Sequence, residues 1–194
     1  MTKDWTGNTN IHIINHRKKE EEVAQHDFYA TDPKMANWLL KLEPQLNNIW
    51  EPAAGQGHLA KEFDKVGKLG KATDLYNYGY CESKIDFLQC DEKWDGDIVT
   101  NPPYAKAQEF AERALGLVDK GCYVCMFLKL TFLEGKKRIK FFKDFPPIRV
   151  WVSTSRVMCA KNGDFNQKDS SAVCYAWFIW EKGFQGSPAI GWFN

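Results

Sequence analysis

Asp97-Ile98-Val99-Thr100-Asn101-Pro102-Pro103-Tyr104 is the stretch on which the fold turns. Ile98, Val99 and Thr100 are β-branched, and such a run bounded by turn residues predicts a strand. Pro102 and Pro103 end it, because neither has an N–H to donate to a ladder. Their carbonyls are acceptors at a strand end, and the Asn101 side chain offers another. Two acceptors aimed at one point suit an –NH2 group, which has two donors. Tyr104 places an aromatic face beside them, where a planar ring can stack. Pro-Pro also marks ordinary loops, but an ordinary loop does not account for a strand, an amide, two prolines and an aromatic in succession.

Strand-like and helix-like runs alternate on either side. Strands are predicted at 48–51, 71–75, 97–100, 122–130, 148–153 and 173–181, with a weaker one at 84–87. Helices are predicted at 35–42, 58–66, 105–118 and, rich in basic residues, 136–142. Thr31 or Asp32 caps the first of these, with Pro33 in its opening turn. Such alternation implies an α/β fold, a mostly parallel sheet with helices on both faces. Ligands of these sheets bind at the carboxyl ends of the strands. Residues 51–57 and 101–104 both follow strands directly, so they are expected at one cleft. Residues 1–26 are polar, carry the charge run 17–22, and are expected as a flexible tail ahead of a single domain at 27–194.

Composition narrows the function. A hydrophobic fraction of 44 % supports a sizeable core, and eight Trp supply aromatic surface for packing or stacking. A net charge of +1 gives no global pull toward nucleic acid, so any such contact must rest on a local patch. Lys136, Lys137, Arg138, Lys140 and Lys143 crowd one short segment, with Arg149 and Arg156 further on; a solvated helix face explains them as well as a phosphate grip. The polar loop 162–170 suits either a mobile segment near a target or a plain surface loop. No secretory or membrane-spanning run opens the chain, so the six Cys are expected as reduced thiols in a cytoplasmic protein. Cys122 and Cys125 form a CxxC on a predicted strand, where positions three apart face opposite ways, so no shared metal is expected and no other metal site is evident.

The loop Glu51-Pro52-Ala53-Ala54-Gly55-Gln56-Gly57 has small residues that turn tightly and admit a ligand close to the backbone. It is not the GxGxxG of dinucleotide sites, and alone it is equally a tight strand-to-helix turn. Asp74, about twenty residues further on, suits ribose hydroxyls or simply a solvated strand end. Asp86-Phe87 suits an adenine amino group and ring, or an ordinary surface acid beside a core aromatic. His58 is read as an early helix residue rather than a catalyst.

Together these segments resemble the class I S-adenosylmethionine-dependent methyltransferases. Residues 51–57 resemble their cofactor loop, and Asn101-Pro102-Pro103-Tyr104 resembles the catalytic motif of the amino-methyltransferases, typified by adenine-N6 DNA enzymes. Asp27-Phe28-Tyr29-Ala30-Thr31-Asp32-Pro33 is similar to the segment that closes over the methionine end of the cofactor. The order of the three is that of the gamma group of DNA amino-methyltransferases. Residues 129–135 and 176–183 extend the likeness to small methyltransferases of phages and prophages, over nearly all of 27–194, a setting that includes restriction-modification. The resemblance implies a Rossmann-like, mostly parallel seven-stranded sheet with a C-terminal antiparallel strand. It implies S-adenosyl-L-methionine as cofactor, held by Tyr29 and Thr31 at the methionine end, and by Glu51, Ala53, Gly55 and Gly57 in the loop. Asp74 and Leu75 would serve the ribose, and Asp86 and Phe87 the adenine. Asn101, Pro102, Pro103 and Tyr104 would be catalytic, and Lys136, Lys137, Arg138, Lys140 and Arg156 would meet DNA.

About ninety residues follow Tyr104, and the sheet needs most of them, so a separate target-recognition region is not expected. The resemblance and the segment 27–33 favour N6 of adenine in DNA as substrate, with RNA adenine and a protein glutamine amide as alternatives. A non-catalytic phage regulator that binds the cofactor is a further alternative.

Overall fold

Ile98, Val99 and Thr100 do form a strand, all three buried, inside a seven-stranded sheet. The computed structural model describes residues 29–155, 157, 159–161 and 173–194; the tail 1–26, Arg156 and residues 162–170 lie outside them. In chain order the elements are β1 (Tyr29–Thr31), α1 (Lys34–Leu42), β2 (Ile49–Glu51), α2 (Ala60–Lys65), β3 (Leu69–Ala72), β4 (Ile98–Thr100), α3 (Ala107–Leu117), β5 (Tyr123–Lys129), α4 (Ile139–Asp144), β6 (Arg149–Ser153), β7 (Cys159–Lys161), β8 (Tyr175–Glu181) and β9 (Ala189–Phe193). Short 3-10 turns at Phe87–Gln89, Tyr104–Lys106, Leu130–Leu133 and Lys136–Arg138 join them.

The main sheet runs β3-β2-β4-β5-β8-β6-β9. Neighbours are parallel from β3 to β5, β8 is antiparallel to both β5 and β6, and β9 is parallel to β6. One strand thus opposes six, and it is the C-terminal run expected to do so. Among the described residues β1 stands apart and pairs with β7 alone, antiparallel, in a two-stranded ribbon.

Side chains alternate through this sheet into two apolar layers, as a strand period of two requires. Trp50, Ile98, Val124, Met126 and Phe178 face α3 and α4, whose Phe110, Ala111, Ala114 and Phe141 complete one layer. Ile49, Val99, Cys125, Phe127 and Trp177 face the other way, against Met35, Ala36 and Leu39 of α1 and Phe63 of α2. The sheet is therefore covered on both sides, and its inner strands are apolar at nearly every position. Cys125 lies in the second layer and Cys122 packs against the first, so the CxxC does straddle the sheet, and both are free thiols. Three fully buried indoles each find an acceptor: Trp50 Nε1 donates to Thr73 Oγ1 at 2.9 Å, Trp177 to the Met35 carbonyl at 3.1 Å and Trp180 to the Phe145 carbonyl at 3.0 Å. At the amino ends of the strands Asp97 accepts from the Asn47 N–H at 2.8 Å and the Tyr123 N–H at 2.7 Å, tying the approaches to β2 and β5 to the start of β4. Its burial raises the Asp97 pKa.

Several expectations need correcting. Residues 84–87 form no strand: Asp86 Oδ1 accepts from the Leu88 N–H at 3.0 Å and turns the chain into a 3-10 turn. The seventh strand is instead β9, which the sequence reading missed along with β1 and β7. The helix expected at 58–66 spans only Ala60–Lys65, and the basic helix 136–142 is a 3-10 turn followed by α4. At α1 the Asp32 carboxylate does accept from the Lys34 N–H, at 2.9 Å, but Pro33 occupies the cap position.

Candidate functional site

β2 and β4 are parallel neighbours, with Trp50 in register with Ile98. Their carboxyl ends, Glu51 and Thr100, therefore lie side by side, and the loops 52–57 and 101–104 leave the sheet at the same edge. The two loops expected to meet are thus neighbours at one edge of the sheet.

On the β2 side, Gly55 and Gly57 have φ of +54° and +76°, the region glycine adopts without strain. Asp74, two residues beyond β3, fastens this loop. Its Oδ2 accepts from the Gly55 N–H at 2.8 Å and its Oδ1 from the Tyr76 N–H at 2.8 Å. The Glu51 side chain is buried, and its Oε2 accepts no hydrogen bond among the described residues. Burial holds the Glu51 carboxyl well above the ordinary carboxylate range; the Ala60 N–H, which bonds to it, works the other way, and the nearby Asp74 charge adds to the rise. Asp74 is also raised, by burial first, against the pull of its backbone bonds. Among the described residues no cation pairs with either buried carboxyl group, which leaves the site short of positive charge. A ligand ammonium would supply it.

Tyr80, not singled out from the sequence, covers this loop. A Cβ built on Gly57 would stand 2.5 Å from the Tyr80 ring, and Lys61 Nζ lies 5.0 Å above that ring. The alternation Tyr76, Tyr78, Tyr80 was the available signal. Ala53 packs against the first core layer, and Leu75 is exposed beside Asp74. Phe87 sits in the core, its ring edge-on to Trp50 at 5.3 Å and 5.1 Å from Phe110, so it underlies the cleft instead of presenting an open face. His58 lies in the turn before α2, and burial, then the Lys61 charge, lowers its pKa.

On the β4 side, Asn101 Nδ2 donates to Thr31 Oγ1 at 2.7 Å. Thr31 is buried at the end of β1, so the small ribbon reaches over to fix the amide. This commits the N–H end of Asn101 to Thr31, and its buried Oδ1 becomes the end that can face a ligand. Thr31 thus touches the amide motif as well as belonging to the segment expected over the methionine end; Tyr29 contributes to the same strand, in register with Lys161. Pro102 is buried and Pro103 exposed. The Pro103 carbonyl accepts from the Lys106 N–H at 2.9 Å, so of the two proline carbonyls expected as open acceptors only that of Pro102 is left for the role.

Tyr104 packs against both apolar layers, with the Tyr175 ring 6.1 Å away and Lys129 Nζ 4.5 Å from its own centroid. The sequence reading gave neither Lys129, though it lies in the segment 129–135 of the likeness, nor Tyr175 a place beside Tyr104. Of the basic group, Lys136 and Lys137 are exposed beside Tyr104. Arg138 instead bonds the Phe132 carbonyl at 3.3 Å and the Glu134 carbonyl at 2.6 Å, Lys140 pairs with Asp144, and Arg149 pairs with Glu43 at 2.6 Å. Arg156 lies outside the described residues. No helix in the described residues is long and apolar enough to cross a membrane.

No protein-family model matches the sequence, and no curated protein matches it. Solved structures do. A Listeria monocytogenes protein described as a class I S-adenosylmethionine-dependent methyltransferase aligns over 81 % of this chain and 62 % of its own, with 14 % identity and a TM-score of 0.56. The type IIG restriction endonuclease BpuSI aligns over 80 % of this chain and 26 % of its own, at 14 % identity and a TM-score of 0.58. The 23S rRNA methyltransferase ErmE aligns over 81 % and 70 %, at 14 % identity and a TM-score of 0.50. This chain thus spans under two thirds of the first of these and about a quarter of the second. At such identities the likeness establishes the fold, which is the Rossmann-like class I methyltransferase fold.

Proposed function

We propose that the chain is an S-adenosylmethionine-dependent N-methyltransferase that acts on N6 of adenine in DNA. The observation that carries this is Asn101, an amide at the carboxyl end of β4, anchored through its N–H end to Thr31 and followed at once by Pro102, Pro103 and Tyr104. The buried Glu51 ends the neighbouring strand β2, and the buried Asp74 follows β3, one strand further along the sheet.

The residues present fit the cofactor. Glu51 Oε2 is a buried acceptor suited to the amino group of the methionine moiety. Asp74 and Leu75 would serve the ribose, Ala53, Gly55 and Gly57 would give a close backbone wall, and Asp86 would take the adenine amino group. When bound, S-adenosylmethionine supplies a methyl group already activated by a cationic sulfur. The chain's task is then the nucleophile. An exocyclic amine shares its lone pair with the ring. Asn101 Oδ1 and the Pro102 carbonyl accept its two hydrogens, which favours a pyramidal nitrogen and directs its lone pair. Tyr104 offers a stacking surface to the base. The rate gain is orientation and fixed dipoles, with no general base required before transfer. An adenine in a duplex must leave the stack to reach this cleft, at a cost of a few kcal/mol that stacking offsets in part.

The test is incubation with labelled S-adenosylmethionine and unmethylated DNA, then digestion and identification of nucleosides by mass. N6-methyladenine should form, and Asn101→Ala should lower the rate by about 10²–10³-fold, the scale for removing one preorganised hydrogen-bonding group. An undiminished rate in that variant sinks the assignment. Product confined to RNA adenine or to protein glutamine would move the substrate, and tight cofactor binding without transfer to any pool would favour a non-catalytic regulator.

A further inference from the structure

Beyond Tyr104, on the side away from the glycine loop, a groove of about 290 Å³ opens between the start of α3 and the turn 136–138. That volume lies at the small end of ligand sites, which run from roughly 300 to 1,000 Å³. Tyr104 gives its aromatic surface, Phe132 lies largely buried at its base, and Gln108, Glu109, Lys136 and Lys137 line it with polar groups. Phe132 is buried, packed by a fan of rings and by Arg138, 4.7 Å over its face. The charges are unequally committed. Glu109 already pairs with Lys106 at 3.4 Å, and Arg138 bonds backbone carbonyls. Lys136 and Lys137 carry exposed ammonium groups, and Lys129 adds a third cation over the Tyr104 ring. An aromatic surface bordered by solvated lysines, continuous with the residue on which a target base would stack, is the pattern that tracks a single nucleic-acid strand.

Resting on the function proposed above, we infer that this groove seats the DNA nucleotide next to the target adenine. Its sugar lies beside Tyr104, and its phosphates meet Lys136 and Lys137. This local device supplies the strand grip that a net charge of +1 does not.

The experiment measures affinity of the full chain for a fluorescent single-stranded oligodeoxynucleotide across a salt series. Wild type is compared with Lys136→Ala/Lys137→Ala and with a charge-matched control, Lys93→Ala/Lys120→Ala, whose lysines lie near the carboxyl end of α3 and before β5. Cofactor affinity and melting temperature are followed in parallel to show that each variant is folded. Each phosphate contact of a single strand contributes about 0.7 to the slope of log K against log salt, so the groove variant should lose about 1.4 and bind every sequence more weakly. The control should keep the wild-type slope. An unchanged slope in the groove variant, or an equal loss in the control, overturns the groove. Tighter binding of RNA through the same two lysines overturns the DNA assignment. The lysine-dependent slope, found in a protein that transfers no methyl group to DNA, would uphold the groove while refuting the enzyme reading.

Discussion

Replacing Thr31 with Val removes one hydroxyl and little volume. That hydroxyl is the acceptor for Asn101 Nδ2 at 2.7 Å, and Thr31 is only 2 % exposed, so water cannot readily take its place. Removing one partner of a buried hydrogen bond costs about 1–3 kcal/mol. In a chain of this length each kcal/mol shifts the melting temperature by roughly 2–4 °C, so a fall of about 2–12 °C is expected in a circular-dichroism melt. The larger effect should fall on turnover. With its anchor gone, the amide no longer holds Oδ1 toward the cleft, and misplacement of a catalytic group on that scale costs up to about 10²-fold. Initial rates at saturating cofactor should show kcat reduced by about 10- to 100-fold, with cofactor affinity within about threefold of wild type. Thr31→Ser keeps the hydroxyl and should recover most of the rate. Wild-type kcat in Thr31→Val, beside an inactive Asn101→Ala, would refute a positioning role. Failure of Thr31→Ser to recover would show that the methyl group, not the hydroxyl, matters.

Three other outcomes follow from the same geometry. Glu51 has a folded pKa raised by burial, so the folded state holds its proton more strongly and this group lowers stability as pH rises from its unfolded value through its folded one. Glu51→Gln should therefore melt higher than wild type at pH 7 with a flatter pH profile, yet lose the thermal shift given by S-adenosylmethionine; a retained shift would exclude Glu51 from the site. Gly57→Ala places a Cβ 2.5 Å from the Tyr80 ring at a φ of +76°, so a loss of about 1–3 kcal/mol in denaturant unfolding is expected, with weaker cofactor binding by calorimetry, and a neutral result would show the loop to be compliant. Arg149→Met leaves the buried Glu43 carboxylate with only Trp151 and Gln45, at 2.7 and 2.6 Å, and should cost about 3–5 kcal/mol while the activity of the remaining folded protein is unchanged.

What could be read from the sequence was what local chemistry dictates. Ile98-Val99-Thr100 before two prolines can be little other than a strand and its end, and positive φ at residues 55 and 57 demands the glycines found there. What could not be read depends on partners far along the chain. β9 contains Gly191, which looks like a break, yet an added Cβ would stand 2.1 Å from the Trp151 ring, so glycine is what lets that strand pass. Ile85 and Phe87 mimic a strand period, but Asp86 caps its own turn and delivers Phe87 to the core without a ladder. The bond from Asn101 to Thr31 joins residues 70 apart, and no local pattern announces it. The same holds for Lys129 over Tyr104, set by the end of one strand and the loop after another.

Among the described residues the ribbon of β1 and β7 has just two strands, three residues each, and no edge shared with the main sheet. Two-stranded ribbons are the weakest units of β structure, while the seven-stranded sheet is packed on both faces. The anchor of Asn101 thus belongs to a part of the molecule that opens at lower free energy than the part carrying Asn101 itself. Warming should separate working temperature from melting temperature: turnover should begin to fall while the sheet is still intact, and it should return on cooling without refolding of the core.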